Sequence, residues 1–167
     1  NVIIFSPIAA VLVLRGQSPS TVYVEFVHVG RKVVIGLALA LVSTVMFLGL
    51  RGEMSRLGTV WAGTLNGRNL SHFLPVMLEG VALAFLFERM RWCMRLLPAL
   101  LIPSLLFAAG HIPIQVESGL GGAGMAAFFV FNTLLPMFIL YVVSVSRDVI
   151  WLAIVHYVMD IAIDTFG

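Results

Sequence analysis

Residues 33–50 read VVIGLALALVSTVMFLGL, a run without one charged side chain. An α-helix needs about 20 mostly apolar residues to cross the hydrocarbon core of a membrane. The apolar residues follow one another continuously instead of alternating at every second position. The run therefore predicts a membrane-spanning helix and not a strand of a β-barrel.

Comparable apolar runs recur along the rest of the chain. With 60% hydrophobic and only 11% charged residues, the 167-residue sequence lies outside the composition of an ordinary soluble domain. We expect further spanning helices at residues 70–87, 96–112, 123–146 and 149–166, and we interpret the short run 1–14 as the end of a sixth span. The sequence thus predicts an all-α membrane protein, a bundle of about six transmembrane helices, the first one truncated, that forms a single domain over residues 1–167.

Most basic residues lie in the connections between these runs, where they act as anchors of the membrane topology. Arg89, Arg91 and Arg95 form the densest group. The positive-inside rule places this connection, with the first and the fifth, in the cytoplasm. The net charge is only +2, so no nucleic-acid partner is expected, and the sequence leaves the oligomeric state open.

Four ionisable side chains lie inside the expected spans: Glu79, His111, His156 and Asp160. A charged side chain at the centre of a spanning helix costs about 2.5–3.5 kcal/mol on insertion scales, so such residues usually have a function. His156 and Asp160 are four apart and share one helical face. Glu79 could act as a general base on water. We expect Glu79, His111 and His156 to converge in one cavity.

The same residues leave two other chemistries open. His111, His156 and Asp160 could ligate a metal ion, in which case Zn²⁺ is the expected cofactor. Alternatively, intramembrane carboxylates and histidines relay protons or bind ions in small transporters. The chain is short and shows no inverted repeat, which argues against transport.

The order of the motifs resembles a known family. Residues 105–113 read LLFAAGHIP, and residues 149–160 read VIWLAIVHYVMD. Together with Glu79 they resemble the CPBP (Abi) family of intramembrane proteases, which includes the CAAX prenyl-protein endopeptidases. That family carries a paired glutamate with a downstream arginine, then FxxxH, then HxxxN or HxxxD. The resemblance covers residues 69–164, a CPBP-like core.

The resemblance implies an endopeptidase in the cell membrane of a bacterium or an archaeon. In such an enzyme Glu79 would activate water, His111 would assist it, and His156 with Asp160 would stabilise the oxyanion; metal ligation by the same residues is the second implied chemistry. The implied substrate is a peptide or a prenylated protein.

The first motif departs from the family pattern. Glu79 stands between Leu78 and Gly80, so the glutamate pair is reduced to one residue, and Leu83 or Ala84 replaces the expected arginine. A catalytically inactive membrane protein with a binding or chaperone-like role is therefore the alternative interpretation.

Overall fold

The computed structural model describes residues 2–165, and these are almost entirely helical. No β-strand is present in that range, which confirms the predicted all-α architecture. Short 3-10 turns lie at Pro19–Val22 and Met54–Arg56. The helices of the described range are, in chain order, α1 (Val2–Leu14), α2 (Val29–Arg51), α3 (Leu57–Thr64), α4 (Gly67–Leu70), α5 (Phe73–Arg91), α6 (Leu96–Gly110), α7 (Ile112–Glu117), α8 (Gly122–Ser146) and α9 (Ile150–Asp164).

Four helical segments of the described chain are long and apolar enough to cross a membrane: Val29–Arg51, Gly67–Arg91, Leu96–Glu117 and Gly122–Ser146. They support an integral membrane protein with several passes. The first and last of the six expected spans are shorter. α1 has 13 residues and α9 has 15, or about 20 and 22 Å at 1.5 Å per residue, against about 30 Å for the hydrocarbon core. The expected ends of these spans at Asn1 and Phe166 lie outside the described residues.

The chain divides into two compact units. The first comprises Asn1–Val81 together with Asp148–Gly167, and the second is Ala82–Arg147. The first division falls within α5, and the second falls just before α9. The expected single domain over residues 1–167 stays a prediction.

In the first unit, α9 packs against α2 and α3 at glycines. A Cβ built at Gly36 of α2 would lie 3.0 Å from Ile154 Cβ and 3.1 Å from Trp151 Cα. A Cβ at Gly63 of α3 would lie 3.2 Å from Ile161 Cγ2. Small residues at such contacts let membrane helices approach closely, so these glycines set how near α9 lies to its neighbours.

Gly36→Ala is expected to lower the free energy of unfolding by about 1–3 kcal/mol, because the backbone of Trp151 cannot rotate out of the way. The matched control is Gly49→Ala on the same helix. Apart from its chain neighbours and the nearby backbone of its own helix, no described heavy atom lies within 4 Å of a Cβ built at Gly49. That control should be neutral or slightly stabilising, since alanine favours the helix. Thermal unfolding in detergent measures both, and equal melting temperatures would contradict the close contact.

In the second unit, α6 packs against α8. The buried side chains of α6 include Ala99, Pro103, Ser104 and Ala108. The Ser104 hydroxyl donates to Leu100 O at 2.8 Å, one turn back in its own helix. A buried polar group of a membrane helix needs such a partner because lipid supplies none, and the small side chains permit close packing of α6.

One end of the second unit is strongly basic. Three arginines surround the turn between α5 and α6: Arg89, Arg91 and Arg95. The Arg89 guanidinium lies 4.8 Å from the ring centroid of Phe85 and 4.9 Å from that of Trp92. Arg147 Nη1 lies 3.9 Å from Glu88 Oε1, so the C-terminal end of α8 lies beside the C-terminal end of α5. Arginine with an exposed tryptophan is typical of a helix end at a membrane interface.

Cys93 lies exposed within this basic turn and is the only cysteine of the sequence. Because the positive-inside rule predicts that this turn is cytoplasmic, a membrane-impermeant maleimide should not label Cys93 in intact cells. It should label Cys93 after permeabilisation, and Cys93→Ser serves as the blank. Labelling of intact cells would reverse the predicted orientation.

Candidate functional site

α5 and α9 run antiparallel in the first unit and carry three of the four predicted site residues. The rings of Phe73 and Tyr157 meet edge-on, with centroids 5.7 Å apart. Toward the other end of the contact, a Cβ built at Gly80 would lie 3.3 Å from Val149 Cγ2. The beginning of α5 therefore lies beside the middle of α9, and the middle of α5 lies beside the beginning of α9.

This register sets the depths of Glu79 and His156. Glu79 directly precedes Gly80, so it lies level with the start of α9. His156 directly precedes Tyr157, so it lies level with the start of α5. At 1.5 Å per residue, the two positions are about 9 Å apart along the helix axes. Glu79 is half-buried.

His156 and Asp160 lie together, one turn apart on α9. Nε2 of His156 is 3.5 Å from Oδ1 of Asp160, an ion-pair distance, and their side chains are 31% and 43% exposed. A carboxylate accepts and does not donate, so it favours a hydrogen on Nε2 and leaves Nδ1 to interact with another group. Nδ1 accepts a hydrogen bond in the neutral ring, and it donates one in the imidazolium, whose charge Asp160 would balance.

Tyr157, which sequence reasoning did not single out, fixes this part of α9. Its hydroxyl donates to Thr64 O of α3 at 2.7 Å, and the residue is only 4% exposed. A buried tyrosine hydroxyl generally needs such a partner. The available signal was that Tyr157 lies between His156 and Asp160 in the sequence. Such a residue points to another face of the helix, where it can contact a neighbouring helix.

His111 lies in the second unit, where α6 ends. Pro113, near the start of α7, has no backbone N–H and so cannot continue an α-helical ladder. The His111 N–H donates to Ala108 O at 3.2 Å, one residue short of the α-helical partner. Phe107 O accepts a hydrogen bond from the His111 ring instead, with Nδ1 at 2.9 Å.

This hydrogen bond fixes the tautomer of the neutral His111 ring. A carbonyl oxygen only accepts, so Nδ1 carries the hydrogen and Nε2 of the neutral ring keeps its lone pair. The rings of Phe107 and His111 are 4.5 Å apart, with their planes tilted by 38°. The spacing of four residues thus gives His111 both a carbonyl acceptor and a ring to pack against, and its Nε2 can accept a proton.

The structure thus brings together His156 and Asp160 and describes His111 within the other unit. The convergence of Glu79, His111 and His156 stays a prediction. No group of three or more His, Cys, Asp or Glu side chains within residues 2–165 could hold a metal ion. The zinc set of His111, His156 and Asp160 likewise stays a prediction, and no step below goes through a metal.

The family model for the type II CAAX prenyl endopeptidase Rce1-like family matches residues 73–162, more than half of the chain. The chain belongs to this family. The matched region lies within residues 69–164 and confirms the resemblance to the CPBP proteases. No curated protein and no solved structure matches the chain.

The Rce1-like family is a family of membrane proteases. The matched region contains all four predicted site residues. It leaves out α2 and α3, which pack directly against α9.

Proposed function

We propose that this chain is an intramembrane endopeptidase that hydrolyses a peptide bond of a peptide or a prenylated protein. The observation that carries the proposal is the His156–Asp160 pair, which lies in the same unit as Glu79 and within the matched region. Residence in a bacterial or archaeal cell membrane belongs to the same proposal and rests on the resemblance to the CPBP family.

The reaction begins with Glu79 as the general base. Its carboxylate takes a proton from water, whose oxygen attacks the carbonyl carbon of the peptide bond. The carbonyl oxygen becomes an oxyanion, which His156 stabilises by donating from Nδ1 while Asp160 balances the charge. When the tetrahedral intermediate collapses, the C–N bond breaks, and the proton held by Glu79 passes to the leaving amine.

The offset between Glu79 and His156 supports this division of roles. Glu79 would bind the water and His156 would bind the oxyanion, each through a hydrogen bond of about 2.6–3.2 Å. With the reacting atoms between them, the carboxylate oxygen and the imidazole nitrogen would be about 8 Å apart. The two backbone positions are about 9 Å apart along the helix axes, an offset that leaves room for the water and the peptide bond between the side chains. A direct hydrogen bond between the two side chains would leave no room for substrate.

The assistance of His111 to the water, which the family resemblance implies, stays a prediction. Nε2 of His111 has a lone pair because Nδ1–H donates to Phe107 O, so this nitrogen can accept a hydrogen bond.

A second candidate function, an inactive binding or chaperone-like protein, is favoured by Gly80. Where the family pattern has a paired glutamate, this chain has a glycine whose added Cβ would lie 3.3 Å from Val149 Cγ2. That distance is tighter than ordinary van der Waals contact, so the larger side chain of a second glutamate at position 80 would have to displace the side chain of Val149. The close approach of α5 and α9 at Gly80 leaves little room for a second glutamate there.

Cleavage of a peptide library that includes farnesylated peptides distinguishes the two candidates. The full chain in detergent is assayed as wild type and as Glu79→Gln. Cleavage that requires Glu79 supports the endopeptidase and its mechanism, and cleavage unaffected by Glu79→Gln contradicts the assignment of Glu79 as the general base. Absence of cleavage across the whole panel by a folded wild type supports the inactive alternative.

A further inference from the structure

A buried ion pair lies just before the start of α9. Lys32 Nζ is 3.5 Å from Asp148 Oδ1, and the two side chains are only 15% and 7% exposed. Charged side chains are rarely this buried unless they are paired. Asp148 belongs to the region that matches the family, whereas Lys32 of α2 precedes that region.

Asp148 of this ion pair also caps the first turn of α9, the helix that carries His156 and Asp160. Asp148 Oδ1 accepts the N–H of Ile150 at 2.9 Å, which satisfies one of the free donors of the first turn. A carboxylate at this end also complements the positive end of the helix dipole. Asp148 therefore holds α9 through its backbone and is itself held by Lys32.

The segment before α2 completes this arrangement. Lys32 Nζ donates to Glu25 O at 2.8 Å, and Tyr23 O accepts the N–H of Val149 at 3.0 Å. Tyr23 is 2% exposed and adopts a left-handed backbone conformation with φ of 62°. A non-glycine residue keeps that conformation only where its surroundings favour it, so the segment is built to meet the start of α9.

The C-terminal end of α9 is also contacted by a residue that precedes the family-matched region. Arg56 Nη1 donates to Thr165 O at 3.2 Å. A cation at the C-terminal end of a helix complements the negative end of its dipole. Residues that precede the family-matched region thus contact both ends of α9.

We propose that Lys32 is a positioning residue: through its ion pair with Asp148 it sets the position of α9 and so the place of His156 and Asp160. This inference rests on the proposed function. His156 lies about two turns from Asp148, or about 12 Å along a rigid helix, so a shift at the start of α9 is carried to the imidazole. A misplacement of about 1 Å in a catalytic group can reduce the rate by about 10²-fold.

The kinetic test compares Lys32→Met with Arg31→Met in the full chain. Arg31 is the exposed neighbour of Lys32, and the control removes the same charge one residue away. We expect Lys32→Met to lower kcat by about 10- to 100-fold with little change in KM, and Arg31→Met to leave both unchanged. Lys32→Arg should restore a large part of kcat. Equal kcat values for the wild type and Lys32→Met would overturn the proposal.

Two further variants keep the test valid if Lys32→Met folds poorly with a buried, unpaired carboxylate. Asp148→Asn retains an oxygen that can accept the Ile150 N–H, and the double variant Lys32→Met, Asp148→Asn buries no charge. Both variants should show the reduced kcat, and the double variant, which leaves no buried charge unpaired, should fold even where the single variants do not. A double variant with wild-type kcat would mean that the ion pair does not position α9.

A readout without substrate separates this inference from the proposed function. Hydrogen exchange of the Val149 and Ile150 amides, and the ¹⁵N signals of His156 in histidine-labelled protein, report the start of α9 and the imidazole directly. In Lys32→Met we expect faster exchange at both amides and shifted His156 signals. If the wild type cleaves nothing, the proposed function fails and these signals still decide the positioning role. Unchanged signals overturn it.

Discussion

Glu79→Gln is expected to lower kcat for peptide cleavage by about 10²- to 10⁴-fold. Glutamine keeps the shape of the side chain and cannot take a proton from water, so the variant loses general-base catalysis alone. KM should change little because the substitution does not remove a group that binds the peptide in the ground state. Initial rates in detergent, measured with a peptide that the wild type cleaves, give both constants.

Glu88→Gln is the matched control for this substitution. Glu88 lies on the same helix and pairs at 3.9 Å with the exposed Arg147, so its loss should leave kcat within about twofold of the wild type. Both variants should melt at about the temperature of the wild type. A folded Glu79→Gln protein that retains wild-type kcat would remove Glu79 from the proposed mechanism.

The long spans could be predicted because lipid imposes one requirement on them. A backbone in hydrocarbon must satisfy its own hydrogen bonds, so a long apolar run has to be a helix, as α2 and α8 are. The ends of helices depend on single residues. The expected span 96–112 lies within the apolar helical segment Leu96–Glu117. In that segment α6 ends at Gly110, because Pro113 interrupts the ladder and a second short helix follows.

Local spacing also predicted part of the candidate site. The interval of four residues predicted that His156 lies beside Asp160, and this contact is present. The same interval brings the His111 ring to the Phe107 carbonyl, a contact that was not predicted. Such pairs need only a helix, whose geometry is the same in every protein. Tertiary structure decides whether Glu79 and His111 lie near His156 and Asp160, and this convergence stays a prediction.

The contacts that hold α9 could not be predicted in the same way. Lys32 and Asp148 are far apart in sequence, and each alone has the pattern of an interfacial charge beside a span. Only the packing of α2 against α9 brings the two side chains to 3.5 Å and buries them. The one local signal was an aspartate two residues before the first helical residue of α9, which is typical of a side chain that caps a first turn.

His156→Gln is expected to lower kcat by about 10²- to 10³-fold, the usual loss when one donor to an oxyanion is removed. Asp160→Asn should have a smaller effect, because asparagine can accept from Nε2 but cannot balance an imidazolium charge. If the two residues act as one unit, the double variant should be no slower than His156→Gln alone. Met159→Leu, a substitution of similar volume beside Asp160, is the control and should leave kcat unchanged. Losses that multiply in the double variant would show that His156 and Asp160 act separately, and the oxyanion role assigned to the pair would then be wrong.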